Sequence, residues 1–196
     1  MRVNEIFYSI QGEGAHTGEA AIFVRLAGCN LRCEFCDTKH EGYKVLTEDE
    51  IVREIAKYPY QCKLVVITGG EPTLQLTESL IAKIQEIGKA VAVETNGTRA
   101  IPKGVDWVTV SPKAPFEGEK GNPIITTAQE VKVVFDGINM PDDPTFGITA
   151  AHYFIQPCDT GNEAWNREII NKCVQFIKLN PTWKLSLQTQ KILRVR

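Results

Sequence analysis

The sequence predicts an α/β fold built on a mainly parallel, curved sheet, and three observations carry that expectation. Short apolar, β-branched runs recur along the chain and stop at glycine, proline or polar residues, as strands buried on both faces do. Amphipathic stretches of helical period lie between several of them. The residues richest in chemistry follow the runs directly, which is where parallel α/β sheets collect their ligands.

Taken in order, a first strand in "MRVNEIFYSI" ends at a polar turn, "QGEG". "AAIFVRLAG" reads as a second strand and leads into a loop that holds three cysteines. Thr47 to Tyr58 has helical period, with Thr47 as N-cap and Glu50 at the capping-box position. "KLVVITGGEP" is the next strand, Thr77 to Gly88 the next helix, and "AVAVETNGT", "DWVTVSPKAP", "EVKVVFDG" and "HYFIQPCD" are four further strands. A sheet curved toward a barrel brings "GCN", "TGGEP", "ETNG", "SPK" and "QPCD" to one rim, with Glu71, Glu94, Lys113 and Asp159 at equivalent strand ends. Glu94, Thr95 and Asn96 are set apart as capping or cofactor-facing residues without a choice between the two.

With 196 residues, 43% of them apolar and 23% charged, the chain is expected to form one domain, residues 1–196, around one core. A net charge of -2 lacks the positive field that phosphate backbones require, so no direct nucleic-acid partner is expected. The first residues lack signal-peptide character and no apolar stretch reaches the roughly 20 residues of a membrane span, so the expectation is a cytoplasmic protein with no membrane partner. Six cysteines in a reducing compartment are expected as thiols, with Cys62, Cys158 and Cys173 as small packed residues.

Cys29, Cys33 and Cys36 form a C-x3-C-x2-C array inside "AGCNLRCEFCDTKH". A zinc ribbon needs two C-x2-C knuckles, so a zinc site here would have to recruit His40 as its fourth ligand. The spacing also matches one face of a helix, but Gly28 and Asn30 open a loop and Asp37 and Thr38 close one. Three thiolates on a four-iron cubane leave one iron without a protein ligand, and an open metal position is what a reactive centre needs.

With Phe35 before the last cysteine and "GGEP" at the end of a later strand, the array resembles the signature of radical S-adenosylmethionine enzymes. "EIFYSIQGEG", "CDTKH", "TGGEP", "ETNGT", "VSPK" and "LSLQTQK" together resemble the 7-carboxy-7-deazaguanine synthase family of that superfamily, over the whole chain. The resemblance implies an incomplete, TIM-like barrel with a radical S-adenosylmethionine core and abbreviated helices. It implies a lyase that rearranges 6-carboxy-5,6,7,8-tetrahydropterin to 7-carboxy-7-deazaguanine with loss of ammonia, on the route to queuosine and related deazapurines. A [4Fe-4S] cluster, S-adenosylmethionine and Mg2+ are the implied cofactors, and a homodimer served by a flavodoxin- or ferredoxin-type reductant is the implied assembly.

By the same resemblance Cys29, Cys33 and Cys36 hold the cluster and Thr38 the magnesium. S-adenosylmethionine falls to Phe35, Cys36, Asp37, Gly70, Ser111, Pro112, Lys113, Gln156, Pro157, Cys158 and Asp159, and the substrate to Ile10, Gln11, Gly12, Arg25, Thr68 and Arg196. Some of these assignments have a reason in the residue itself. Arg25 interrupts an apolar strand, and a guanidinium placed there needs an anion, either the substrate carboxylate or an internal one. Gln11 and Glu13 offer the donors and acceptors that a pterin edge demands. Arg196 ends the sequence, and its carboxylate is expected to reach the pterin. The chain departs from many relatives at Gln190, where they carry "QTHK", so no proton-transfer role is expected there. Two rival readings are a glycyl-radical-activating enzyme and a zinc-binding interaction module.

Overall fold

The computed structural model describes residues 1–36, 38 and 42–195; Asp37, Lys39, His40, Glu41 and Arg196 lie outside the described residues. Among the described residues nine strands form one sheet: β1 (Arg2–Ile10), β2 (Ala20–Leu26), β3 (Lys44–Val45), β4 (Leu64–Gly69), β5 (Ala90–Thr95), β6 (Trp107–Val110), β7 (Thr127–Phe135), β8 (Thr149–Pro157) and β9 (Trp183–Leu185). Their order is β3-β1-β2-β4-β5-β6-β7-β8-β9, so β3 and β9 are edges and the sheet is open. Every neighbouring pair from β2 to β9 is parallel, while β1 runs antiparallel to both β2 and β3. All six internal strand runs expected from the sequence are present. The direction of β1 and the short strands β3 and β9 are additions to that expectation.

The helices are α1 (Glu48–Ile55), α2 (Glu78–Glu86), α3 (Ala114–Glu117), α4 (Glu163–Leu179) and α5 (Thr189–Leu193). Thr47 and Glu50 form the expected capping box on α1, each side chain accepting the other residue's backbone N–H. Thr77 caps α2 by accepting from Leu80 N, and Asn162 caps α4 by accepting from Trp165 N. The crossover from β5 to β6 contains no helix, and that from β6 to β7 only the four-residue α3 and a 3-10 turn at Gly118–Gly121. This is the abbreviated, incomplete form of a TIM-like barrel.

Alternation along the strands creates two unlike faces. Ile22, Val24, Leu26, Val65, Ile67, Val91 and Val93 point outward and are buried against Ile51 and Ile55 of α1 and Leu80, Ile81 and Ile84 of α2. Beyond them Val108, Val131, Val133 and Ile155 pack with Ile169 and Cys173 of α4. On the inner face Phe7, Ala21, Phe23, Leu64, Val66 and Ala92 form an apolar layer. Two residues further along the same strands that face turns polar, at Arg25, Thr68 and Glu94. The outward layer fixes the sheet and the inward change of polarity creates a site.

Cys62 and Cys173 are buried free thiols, as expected of packed residues. The capping box predicts a measurable effect: Thr47→Ala removes it and is expected to cost about 1 kcal/mol and to lower Tm by about 2–4 °C. Thermal denaturation followed by circular dichroism checks this, and an unchanged Tm would show that α1 is held by packing alone.

Candidate active site

The polar ends of the inner face surround a cavity of about 720 Å³. Its upper wall is the loop that follows β2. Cys29 and Cys33 are half-buried there and Cys36 is exposed, all three as free thiols and all lining the cavity. Leu31 N donates to Cys29 Sγ at 3.4 Å, and Cys36 N donates to the Cys33 carbonyl at 3.1 Å, so the loop turns tightly around the sulfurs. Burial pushes the Cys29 thiol up, and burial with the nearby Glu117 carboxylate pushes Cys33 up to about 11 against the pull of Lys113. Thiols of this kind ionise when a metal displaces their protons. Among the described residues no three His, Cys, Asp or Glu side chains gather round a point that suits a single ion. Three thiols spread over one cavity wall fit a multi-iron cluster, and His40, the fourth zinc ligand considered, lies outside the described residues.

The turn after β4 is pressed onto this loop. Gly70 N donates to the Leu26 carbonyl at 3.0 Å and Glu71 N to the Gly28 carbonyl at 2.9 Å. A Cβ on Gly70 would run into the Gly28 carbonyl, so only glycine permits the approach. Glu71 is fully buried and accepts from Thr73 N, Thr73 Oγ1, Thr95 Oγ1 and Asn96 N at 2.6–3.0 Å. It joins the ends of β4 and β5 and does not line the cavity. Its grouping with Glu94 at equivalent strand ends therefore needs correcting: Glu71 serves the backbone, whereas Glu94 faces the cavity. Asn96 Nδ2 donates to Asn30 Oδ1 at 3.1 Å and ties β5 to the cysteine loop.

The residues assigned to substrate come together on the inner face. Ile10, Gln11, Gly12, Arg25 and Thr68 all line the cavity, and Arg196 lies outside the described residues. Gln11 Nε2 and Thr68 Oγ1 each donate to Glu94, on different oxygens, at 2.9 Å. Arg25 Nε donates to Glu5 Oε1 at 3.0 Å, so the internal carboxylate weighed as its partner is present on the neighbouring strand. Glu13 departs from expectation. Its Oε2 accepts from Lys132 and Gln156, and its Oε1 from Gln188 and Gln190. Four donors fill its lone pairs, and none remains for a pterin. Burial pushes Glu13 up, but the Lys132 ammonium and the amide donors outweigh it and bring the carboxyl down to about 2.

Gln190 gives its amide N–H to Glu13 and turns Oε1 against Gly12; that buried oxygen has no hydrogen-bond partner among the described residues. A Cβ on Gly12 would also come within 2.8 Å of the Gln190 backbone nitrogen, which accounts for the glycine.

Of the residues assigned to S-adenosylmethionine, Phe35, Cys36, Gly70, Ser111, Lys113, Gln156, Pro157, Cys158 and Asp159 line the same cavity. Pro112 is buried and off the cavity lining, and Asp37 lies outside the described residues. Cys158 is buried but reaches the cavity wall, so it is more than the packing residue first expected. Phe35 packs on Phe116 with ring centroids 4.4 Å apart. Lys113 Nζ donates to the Ser111 carbonyl and Oγ at 2.8 and 2.6 Å, and burial lowers the lysine to about 8. Asp159 accepts from Lys191 at 2.8 Å, and that contact leads the interactions that hold it at about 2. Thr38 Oγ1 faces the Gly69 carbonyl at 3.4 Å and lines the cavity.

Lys132 and Glu94, absent from the assigned set, prove central. The signal for Lys132 was available, because a lysine inside "EVKVVF" interrupts an apolar strand just as Arg25 does.

The Glu13–Lys132 pair predicts a pH window. Glu13 is depressed from 4.5, so its stabilising contribution is complete above that value and is lost as pH falls through about 2. Lys132 is raised above 10.5, since its carboxylate neighbours outweigh burial, so its contribution is complete below 10.5 and is lost only above. Urea midpoints measured from pH 5 to pH 2 should fall for the native chain and fall less steeply for Glu13→Gln. Parallel slopes would remove the pair as their source.

The family model described as the Radical SAM superfamily matches residues 23–140, more than half of the chain. The 7-carboxy-7-deazaguanine synthase of Bacteroides thetaiotaomicron is 46% identical over 195 residues, which span 100% of this chain and 98% of the relative. That of Haemophilus influenzae is 36% identical over 201 residues, covering 100% and 94%. The crystal structure of QueE from Escherichia coli superposes with a TM-score of 0.69 at 25% identity, over 95% of this chain and 92% of that one. Streptococcus suis SuiB bound to S-adenosylmethionine shares the fold at a TM-score of 0.52 and 14% identity, over 81% of this chain and 48% of that one. A cysteine loop over the polar mouth of an open parallel sheet, matched end to end by such relatives, has one interpretation: the chain belongs to the radical S-adenosylmethionine superfamily and, within it, to the 7-carboxy-7-deazaguanine synthase family.

Proposed function

We propose that the chain converts 6-carboxy-5,6,7,8-tetrahydropterin to 7-carboxy-7-deazaguanine with loss of ammonia. One observation carries this reading: every described residue assigned to cluster, cofactor, magnesium or substrate, Pro112 excepted, lines a single cavity. A [4Fe-4S] cluster and S-adenosylmethionine, when bound, would together supply a 5'-deoxyadenosyl radical able to abstract hydrogen from carbon.

The protein's own part is to bind and to orient. Cys29, Cys33 and Cys36 would hold the cluster at the cavity's upper wall, and Phe35, Cys36, Asp37 and Gly70 would contact S-adenosylmethionine. Ser111, Lys113, Gln156, Pro157, Cys158 and Asp159 would receive S-adenosylmethionine from the opposite strands, with Pro112 shaping the turn behind them. Arg25 would present its guanidinium to the substrate carboxylate, with Nε already held by Glu5. Ile10, Gln11, Gly12 and Thr68 would hold the pterin, and Arg196 would join them as a substrate residue. Placing the substrate carbon against the radical in this way converts binding energy into orientation, which contributes several kcal/mol in favourable cases, up to about 7–11.

Thr38 would give one oxygen to Mg2+, a cation that favours oxygen ligands such as the substrate carboxylate. Residues 1–196 would act as one domain in a cytoplasmic homodimer, reduced by a flavodoxin- or ferredoxin-type protein and feeding queuosine or another deazapurine. No helix among the described residues is long and apolar enough to cross a membrane.

Anaerobic reconstitution followed by dithionite, S-adenosylmethionine, Mg2+ and the carboxytetrahydropterin is expected to produce the deazapurine chromophore. The combined Cys29→Ala, Cys33→Ala, Cys36→Ala variant should produce none, and turnover by it would overturn the reading. Omission of Mg2+ should slow the native enzyme, and Thr38→Val should shift the magnesium needed for half-maximal rate upward; an unchanged requirement would remove Thr38 as a ligand.

A further inference from the structure

Lys132 stands on β7 with its side chain 6% exposed and reaches the cavity wall. Its ammonium is paired with Glu13 and lies 4.0 Å from Glu94 Oε1. An ammonium has three donors and no acceptor. Glu13 takes one of them, and 4.0 Å is too long for a hydrogen bond to Glu94. Glu94 accepts one bond on each oxygen, from Gln11 and Thr68, so each oxygen keeps a lone pair. Among the described residues Glu13 is saturated, whereas Lys132 and Glu94 are not.

Lys132 is buried and Glu94 half-buried, and both face the cavity, so a ligand there can complete the donor and the acceptor together, and leaving the buried ammonium incomplete is costly. The complement of that pair is a lactam, in which a ring N–H adjoins a carbonyl oxygen, and the pterin carries one. We propose that Lys132 is a substrate-binding residue whose ammonium donates to the lactam carbonyl oxygen of the pterin while Glu94 accepts from the adjoining N–H. This assignment rests on the proposed function and deepens it. The carboxylates of Glu13 and Glu94 keep the ammonium charged despite its burial. A pterin in which an amino group replaces the carbonyl would turn donor against donor, so the site would discriminate by repulsion as well as by a lost bond.

The test compares competitive inhibition by 6-carboxypterin and by its 4-amino counterpart, 2,4-diaminopteridine-6-carboxylate. The native enzyme is expected to prefer the 4-oxo ligand by about tenfold or more, the size of a hydrogen bond to a charged group. In Lys132→Met combined with Glu13→Gln, which removes both charges together, that preference should fall toward one. Glu13→Gln alone keeps the ammonium and should keep the preference, which a merely structural ion pair would not predict. If the double variant does not fold, Lys132→Arg, which leaves Glu13 paired but moves the donors, decides instead by a reduced preference. Equal binding of the two ligands by the native enzyme, or a preference untouched in a folded Lys132 variant, overturns the assignment. Conversion of the carboxytetrahydropterin by the native enzyme is the control: its failure removes the proposed function, whereas conversion with an unchanged preference removes Lys132 alone.

Discussion

The architecture depends on one carboxylate. An open parallel sheet has nothing in its hydrogen-bond ladder to hold its first and last strands at a fixed separation, and Glu13 supplies that tie. Placed on the loop after β1, it receives Lys132 from β7, Gln156 from β8, and Gln188 and Gln190 from beyond β9. Neighbouring contacts run the same way: Gly14 N donates to Ser186 Oγ, Thr189 N to the Gly12 carbonyl, and Ala15 N to Glu130. A charge withdrawn from water costs several kcal/mol. Hydrogen bonds to a charged group return about 1.5–3 kcal/mol each, so a carboxylate with four donors can offset that cost where one with a single partner cannot.

A second carboxylate does comparable work at the other rim. Glu71 gathers the ends of β4 and β5, while its own backbone N–H pins the cysteine loop at Gly28 and that of Gly70 holds the end of β2. The three thiols of that loop are thus positioned by the sheet through bonds that none of them makes. Asn30 and Asn96 repeat the connection with side chains. The chemistry of the site is carried on a loop, but the loop's place is decided by strands, as in barrel enzymes generally.

Much of this was legible in the sequence because local physics and global fold agree along most of the chain. The runs from "AAIFVRLAG" to "HYFIQPCD" became strands, Thr47 became a cap, the stretch from Thr77 became a helix, and residues from most of the strand ends met at one cavity. What escaped was decided by partners far away in the chain. The antiparallel course of β1 depends on a pairing that a single run of apolar residues does not encode. α4 buries only Ile169 and Cys173 deeply, so its helical period is faint. Glu71 and Glu94 both follow apolar runs, yet Glu94 stays in register two residues beyond Ala92 on the inner face, whereas Glu71 falls past the strand and turns back into the main chain. Glu13 looked like a ligand because its four donors come from positions 132, 156, 188 and 190.

The open edge has a consequence for how such an enzyme diversifies. In a closed barrel the bore follows from strand number and shear, so widening it means rebuilding every ladder at once. Here the gap between β1 and β9 is spanned by glutamine side chains and a short polar loop. Lengthening or trimming one of those chains would resize the chamber without touching a single strand pairing, which leaves the lumen free to drift toward new guests while the scaffold stays the same.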